Sequence, residues 1–220
     1  MNINNNERFH PSSVFAQINR RLSFALTPQS EDHILSDQAL GDDILDGLPT
    51  AFALAAGARA AAVLVGLVAY PQEIRIIFTQ RAANLRVHPG QISFPGGKIE
   101  AQDESPAAAA VREAFEEIGL PPGRVEPLGY LDPYVTGTGF RIIPVVAKVA
   151  PGFVPTLDPG EVEDMFEAPF AFLMDAANHK LGAREIEGRM RQFYAMPYGE
   201  RYIWGVTAGI LRNLYERLYS

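Results

Sequence analysis

The chain has 220 residues, of which 47% are hydrophobic and 20% are charged. This composition is typical of a soluble globular protein that is long enough to bury a substantial core. The net charge of −7 argues against a nucleic-acid partner, because nucleic-acid binding depends on basic surfaces that displace counterions from phosphates. The lack of cysteine excludes disulfides, thiol nucleophiles and zinc–thiolate sites.

The N-terminal region is predicted to form a helix and an extended arm. An amphipathic stretch at Val14–Leu22 favours the helix, and an acidic segment at Glu31–Asp46 follows it. We expect residues 1–50 to pack on a domain that comprises residues 51–220. The segment Met1–Arg21 has no apolar stretch of the signal-peptide type, so a cytoplasmic protein is expected.

Two apolar runs after the arm indicate neighbouring strands. The segment Ala51–Ala69 is almost long enough to span a bilayer, but Arg59 at its centre disfavours a membrane helix. We therefore expect no membrane association, a buried strand at Ala61–Tyr70 and a second strand at Glu73–Thr79. The polar segment Arg81–Gly97, punctuated by glycine and proline, is predicted to be a shaped loop.

The clearest helix signal lies at Pro106–Ile118. Ser105 is a suitable N-cap, proline suits the first helical position, and Gly119 provides a C-terminal stop. Further along the chain, the apolar run Arg141–Val149 is predicted to be a buried strand. Pro144 within this run indicates an edge position or a bulge.

The last part of the chain is predicted to contain helices at residues 161–177 and Trp204–Tyr219. No repeat and no break in composition divides the chain, so one mixed α/β (α+β) domain is expected. Aromatic side chains clustered near the C-terminus are expected to pack in the core, with a ligand-channel cover and a homodimer interface as alternatives. These aromatic residues are Phe193, Tyr194, Tyr198, Tyr202 and Trp204.

Three carboxylates project from one face of the predicted helix Pro106–Ile118, because Glu113, Glu116 and Glu117 are spaced i, i+3 and i+4. Their charges repel each other and oppose the helix dipole near its C-terminal end. A divalent cation would relieve this repulsion, and oxygen ligands suit Mg²⁺ or Mn²⁺. The cluster therefore points to phosphoryl chemistry, with a solvated acidic face as the plain alternative. The opposite side is predicted to be buried through Val111, Phe115 and Ile118.

The acidic face belongs to a longer pattern, in which Gly96-Gly97 precedes Arg112-Glu113-Ala114-Phe115-Glu116-Glu117-Ile118-Gly119-Leu120. This stretch resembles the Nudix box. The resemblance implies the Nudix fold, a mixed β-sheet sandwiched between helices, and Mg²⁺-dependent cleavage of a diphosphate, with Mn²⁺ as a substitute. It assigns Glu113, Glu116 and Glu117 as metal-binding and catalytic residues, and Arg112 as a further catalytic-site residue that pairs with an acid in the preceding loop.

That loop is one residue longer than in the usual box. Two acids, Asp103 and Glu104, therefore compete to brace Arg112. Asp103 has the usual spacing from the preceding glycine, and Glu104 has the usual spacing to the arginine. On the spacing to the helix, we expect Glu104 to make the contact.

A second pattern lies upstream and consists of Thr79-Gln80-Arg81-Ala82, Arg86, Gly90 and Phe94-Pro95-Gly96-Gly97. It is similar to the signature of the coenzyme A pyrophosphatase branch of Nudix enzymes, which implies a small-molecule substrate of the coenzyme A type. Coenzyme A carries a diphosphate and a separate 3′-phosphate, so Arg81 and Arg86 are predicted to bind phosphate oxygens. Gly96 and Gly97 are predicted to let the backbone approach a phosphate or a metal closely. The C-terminal segments Gly139-Phe140-Arg141, Glu161-Val162 and Ile203–Ala208 extend the similarity.

The expected reaction is attack of an activated water on one phosphorus, and the resemblance implies 4′-phosphopantetheine and adenosine 3′,5′-bisphosphate as products. A general base from a distal loop is common in Nudix enzymes. Glu161 is the candidate, with Glu163 and Asp164 as rivals. Two alternatives are a different substrate, such as ADP-ribose, a dinucleotide or a nucleoside triphosphate, and a catalytically silent domain that binds a nucleotide and regulates a partner. The intact box carboxylates disfavour the silent domain.

Overall fold

A computed structural model describes residues 5–25, 40–41, 58–85, 88–136, 139–186 and 189–220. Among these residues, nine strands form one mixed sheet and three form a second sheet. The helices are α1 Asn5–Arg8, α2 Pro11–Arg21, α3 Pro106–Ile118, α4 Phe170–Leu173 and α5 Val206–Tyr219, with 3₁₀ turns at Pro122–Arg124 and Ala176–Asn178. The strands are β1 Leu40–Gly41, β2 Arg59–Ala69, β3 Ile74–Arg81, β4 Ile92–Ser93, β5 Gly96–Lys98, β6 Val125–Tyr130, β7 Tyr134–Val135, β8 Phe140–Val149, β9 Val162–Pro169, β10 Lys180–Ile186, β11 Arg189–Tyr198 and β12 Arg201–Trp204.

Strand β2 is the central element of the large sheet. It pairs in parallel with β8, from Arg59 opposite Phe140 to Val68 opposite Val149, and antiparallel with β3 and β5. Alternate side chains of β2 enter two apolar clusters, as expected for a strand buried on both faces. Leu64 joins a cluster with α3, whereas Val65 joins a cluster on the other face with α2 and α5. These layers confirm the predicted mixed sheet between helices.

Helix α3 has the predicted bounds. The hydroxyl of Ser105 accepts a hydrogen bond from the Ala108 N–H at 3.1 Å, and Gly119 closes the helix in the left-handed conformation with a φ of 68°. Phe115 was expected in the core but is 53% exposed, so this prediction is wrong. Small side chains pack the helix against the sheet instead, which lets its backbone approach β2 closely. The buried residues are Ala109, Ala110, Ala114, Glu117 and Ile118.

Two C-terminal predictions require correction. Residues 161–177 do not form a helix, because Val162–Pro169 pairs antiparallel with β3 and extends the sheet. Helical structure in this segment is confined to α4 and the following 3₁₀ turn. The last helix begins at Val206 rather than Trp204, since Trp204 ends β12 and Gly205 turns the chain with a φ of 63°.

Pro144 lies inside the sheet rather than at its edge. On one side of β8, Pro144 is opposite Val63 of β2. On the other side of β8, the residues before Pro144 pair with β7 and the residues after it pair with β6. The Pro144 carbonyl accepts from the Leu131 N–H at 3.0 Å on that second side. The N–H that proline lacks would point into the same gap between β6 and β7, so the sheet tolerates proline here.

Helix α2 covers one end of the α5 side of the core. Val14 and Ile18 are fully buried and share an apolar cluster with Leu214 of α5. The acidic segment Glu31–Asp46 lies outside the described residues, except for β1, which pairs in parallel with β7. The division into an N-terminal arm and a Nudix-like domain stays a prediction.

The C-terminal aromatic residues differ in what they pack against. Tyr194 and Tyr198 pack against the α5 cluster, as expected, whereas Phe193 packs edge-on against Trp204 at 5.2 Å between centroids. Tyr202 is 49% exposed, and the homodimer interface stays a prediction.

Along the described ranges, no helix has the length and hydropathy needed to cross a bilayer.

Candidate active site

Arg112 of α3 is held by Asp103, not by Glu104 as predicted. Its Nε donates to Oδ1 and its Nη2 to Oδ2 of Asp103, each at 3.0 Å, and Nη2 also donates to the Lys98 carbonyl. A turn in which the Asp103 N–H donates to the Glu100 carbonyl folds the acid back under the arginine. Glu104 precedes the N-cap and is exposed. Spacing along the chain wrongly predicts Glu104 because the turn at residues 100–103 accommodates the extra loop residue.

The Arg112–Asp103 pair is a bidentate ion pair of the strong kind. The Asp103 side chain is only 4% exposed. Its hydrogen bonds to the guanidinium hold the pKa of this carboxyl below its usual value. The pair fixes the loop that follows β5 against α3, so Arg112 holds the loop and the helix together.

Glu113 and Glu116 share the remaining donor of the same guanidinium. Arg112 Nη1 lies 3.0 Å from a carboxylate oxygen of each. Glu113 also lies directly against Gly97, where a Cβ would stand 2.4 Å from the Glu113 carboxyl carbon. Burial raises the pKa of Glu113 although Arg112 opposes the shift. Glycine at position 97 is therefore required for the carboxylate to occupy its place.

Glu117 is the most buried of the three box carboxylates. Its side chain accepts a hydrogen bond from the Gly96 N–H at 3.1 Å, which links the helix to β5. Burial raises its pKa to about 8, and the negative charges of Glu161 and Glu113 add to the shift. A Cβ at Gly96 would stand 2.4 Å from the Ala62 carbonyl oxygen, so β5 and β2 can approach this closely only with glycine there.

A β-bulge brings the proposed general base toward these carboxylates. Arg81 is opposite Val162 while Gln80 is opposite Asp164, so Glu163 is the extra residue on β9. Glu161 anchors this turn through its carbonyl, which accepts from the Ala82 N–H at 2.9 Å.

Of the three acids considered as the base, Glu161 is the one whose charge raises the pKa of both Glu113 and Glu117. Asp164 is bound to Arg201 at 2.5 Å. Arg201 also donates to Gln80 and so ties β12 to β3 and β9. Asp164 thus already has a cationic partner, and the assignment of Glu161 as the base stays a prediction.

Arg81 reaches the same region from the end of β3. Its backbone pairs with the loop through the Gln91 carbonyl and the Gly90 N–H, each at 3.0 Å. Its positive charge opposes, to a small extent, the rise in the pKa of Glu117. Arg86 lies outside the described residues, and its role stays a prediction.

A cleft of about 630 Å³ begins at the glycine pair and runs along the α5 side of β2. Arg81, Gly96 and Gly97 line it, and apolar side chains dominate its walls. Arg59 also lines the cleft, and its guanidinium lies over the ring of Phe140, 4.0 Å from the centroid. The further lining residues are Ala61, Val63, His88, Gln91, Ser93, Phe94, Thr136, Ile142, Val206, Thr207 and Ile210.

A sequence model of the NUDIX domain matches residues 59–191. The chain belongs to the Nudix family. Over 157 residues it is 40% identical to an uncharacterized Nudix hydrolase, NudL, of Salmonella paratyphi B, across 71% of this chain and 81% of that protein. The family predicted from the box is thus confirmed, while the coenzyme A branch stays a prediction.

Two solved structures illustrate the similarity of the fold. The Nudix hydrolase RenU of M. smegmatis is 23% identical, across 52% of this chain and 72% of that chain, with a TM-score of 0.45. DR0079 of Deinococcus radiodurans is 14% identical, across 74% of this chain and 83% of that chain, with a TM-score of 0.46.

The Nudix carboxylates have the chemistry of a divalent-cation site. In the described part of the chain no group of three acidic or imidazole side chains already stands at metal-ligand spacing. Arg112 binds Glu113 and Glu116, and the Gly96 N–H binds Glu117. Three carboxylate donors nevertheless suit a hard cation, which would compensate the negative charge that they bring to one helix face. The residues present therefore fit Mg²⁺ or Mn²⁺.

Proposed function

We propose that this Nudix hydrolase cleaves the diphosphate bond of coenzyme A or of one of its derivatives. The products are 4′-phosphopantetheine, or its acyl form, and adenosine 3′,5′-bisphosphate. The observation that carries the proposal is the meeting of the box glutamates with an arginine-bearing cleft at Gly96-Gly97. The diphosphate would lie where these elements meet, and the two arms of the substrate would extend along the cleft and away from it.

The residues of the chain have distinct roles in this proposal. Glu113, Glu116 and Glu117 would hold Mg²⁺, which supplies charge neutralisation of the diphosphate and activation of the attacking water. Arg81 binds phosphate oxygens through its planar guanidinium. Glu161 accepts the proton of the attacking water. The new bond joins the water oxygen to one phosphorus, and the bond from that phosphorus to the bridging oxygen breaks, leaving its electron pair on the departing phosphate.

The cleft also suits the two kinds of chemistry in the substrate. Its apolar walls, which include Val63, Phe94 and Ile142, fit an uncharged pantetheine arm or a nucleoside. The protein carries a net charge of −7, so a polyanionic ligand depends on local cations at the site. Arg81 and Arg59, which both line the cleft, provide such cations.

The test is a comparison of kcat/KM with Mg²⁺ for coenzyme A, 3′-dephospho-coenzyme A, ADP-ribose, a dinucleotide and a nucleoside triphosphate. Coenzyme A or an acyl derivative is expected to exceed ADP-ribose by at least about 10-fold, because the site would otherwise leave its cationic groups without a partner. Reaction in ¹⁸O-water followed by mass spectrometry identifies the phosphorus that is attacked. A higher kcat/KM for ADP-ribose would refute the substrate assignment and leave the family assignment intact.

A further inference from the structure

Arg59 is the first residue of strand β2 and lines the same cleft as the glycine pair. Arg59, Ala61 and Val63 occupy alternate positions of the strand and all line the cleft, so they share one face. Val63 is opposite Gly96 in the pairing of β2 with β5. Four residues of strand span about 13 Å. The cleft therefore offers a second cationic position at a defined distance from the place where the box carboxylates meet β5.

Arg59 is exposed, and the described contact of its guanidinium is with the ring of Phe140. Phe140 is directly opposite Arg59 in the parallel pairing of β2 with β8, and the guanidinium lies 4.0 Å from the centre of the Phe140 ring. The Arg59 N–H donates to the Gly139 carbonyl at 3.0 Å, which fixes the start of the strand. A guanidinium that stacks through its face keeps its N–H edge available for bidentate binding of an anion.

Arg59 differs in its partners from Arg112 and Arg201, which each bind carboxylates, and resembles Arg81, for which the described residues likewise show no ion pair. Among the residues that the structure describes, no carboxylate lies within ion-pair distance of Arg59. An arginine that is stacked, lines a cleft and carries no carboxylate partner is suited to an anionic ligand.

We propose that Arg59, held on Phe140, binds a second phosphate of the substrate, distinct from the diphosphate that is cleaved. This inference rests on the proposed function. A ribose that carries a diphosphate at its 5′ position and a phosphate monoester at its 3′ position presents two anionic groups in a fixed relation. The span between Arg59 of β2 and the position opposite Gly96 would be bridged by the extended arginine side chain together with the ribose. Arg59 is thus a specificity-determining residue for a substrate with a phosphorylated nucleoside.

The kinetic test compares Arg59→Gln with Arg20→Gln, which removes the same charge from an exposed position on α2. For Arg59→Gln, kcat/KM for coenzyme A is expected to fall about 10- to 100-fold, the effect of losing a charged hydrogen bond. The loss for 3′-dephospho-coenzyme A should be at least about 10-fold smaller, since that substrate lacks the group that Arg59 binds. Arg20→Gln should alter neither ratio. Equal losses on both substrates, or no loss on coenzyme A, would overturn the proposal.

Equilibrium binding separates this inference from the assignment of the reaction. Titration calorimetry of the intact protein compares adenosine 3′,5′-bisphosphate with adenosine 5′-monophosphate. The wild type should bind the bisphosphate more tightly, and Arg59→Gln should lose that preference. If the wild type does not cleave coenzyme A but Arg59→Gln abolishes the preference, the reaction is misassigned and the Arg59 site stands. If Arg59→Gln keeps the preference, or the wild type has none, the Arg59 proposal is wrong whatever the activity. Phe140→Leu, which keeps the charge but removes the stacking ring, should reduce the preference in part.

Discussion

Substituting the two adjacent glycines by alanine should separate catalysis from stability. A Cβ at Gly97 would stand 2.4 Å from the carboxyl carbon of Glu113 and 2.5 Å from both of its oxygens. The obstacle is the end of a flexible side chain, so the carboxylate can move away by about 1 Å to reach ordinary contact. A misplacement of that size at a catalytic group costs on the order of 100-fold in rate.

Gly96→Ala provides the matched comparison. Its Cβ would stand 2.4 Å from the Ala62 carbonyl oxygen and 2.6 Å from the Val63 Cα, both of which are backbone atoms of β2. These atoms cannot rotate away, so the pairing of β2 with β5 must shift. Overpacking of this kind destabilises by about 1–3 kcal/mol. At roughly 2–4 °C per kcal/mol for a chain of this size, Tm should drop by several degrees.

The assay pairs kcat on coenzyme A at saturating Mg²⁺ with Tm from calorimetry. Gly97→Ala should lose about 100-fold in kcat with a Tm within about 3 °C of the wild type. Gly96→Ala should show a clearly larger drop in Tm. Wild-type kcat in Gly97→Ala, or a Tm drop as large as that of Gly96→Ala, would refute the reasoning that Gly97 serves the position of Glu113.

Three other predictions concern individual charges. Glu117→Gln should lower kcat at least about 100-fold with the fold intact, as measured by kinetics and circular dichroism, if this carboxylate holds the cation; near-wild-type turnover would exclude that role. Asp103→Asn should lower the free energy of unfolding by about 1–3 kcal/mol and Glu104→Gln by less than about 0.5 kcal/mol, because only the former loses the bidentate partner of the arginine. Because folding lowers the pKa of Asp103, ionised Asp103 stabilises the protein above the ordinary aspartate pKa, and this stabilisation is lost as the pH falls through the pKa of the folded state. The free energy of unfolding of Asp103→Asn should therefore depend less on pH in acid than that of the wild type. Parallel pH dependences of the two proteins would contradict this. Burial lowers the pKa of His179, and its Nδ1 lies 3.4 Å from an Arg212 nitrogen that can only donate, so folding favours the neutral ring over the charged one. Stability should therefore fall as the pH drops below about 6.5, and His179→Gln should lessen that fall in calorimetric scans.

The elements that the sequence predicts well are those whose signals are local. Helix α3 matches its predicted bounds because its N-cap, its first-turn proline and its C-terminal glycine all act within a few residues. The box glutamates fall on that helix, so their shared face follows from helical spacing alone. Family membership could be predicted for the same reason, since the box is one continuous segment.

The features that escaped prediction depend on contacts between distant segments. Strand β9 contains charged residues that resemble a helix surface, yet its pairing with β3 determines its conformation. Arg59 and Phe140 become neighbours only through the parallel pairing of β2 with β8, and no periodicity in either segment reveals this. In the sequence Arg59 is a charge within an apolar run, a pattern that disfavours a membrane helix but does not indicate a ligand site. Asp103 reaches its partner through a turn that linear spacing does not describe.

The contact of Arg112 with both Glu113 and Glu116 determines how the charges of these carboxylates are balanced in the absence of a cation. The guanidinium acts as an internal counterion and offsets the repulsion between these two acids in the folded chain. A cation bound by Glu113 or Glu116 would have to replace this contact. The affinity of the site for a cation would then depend on the strength of the ion pairs that Arg112 makes.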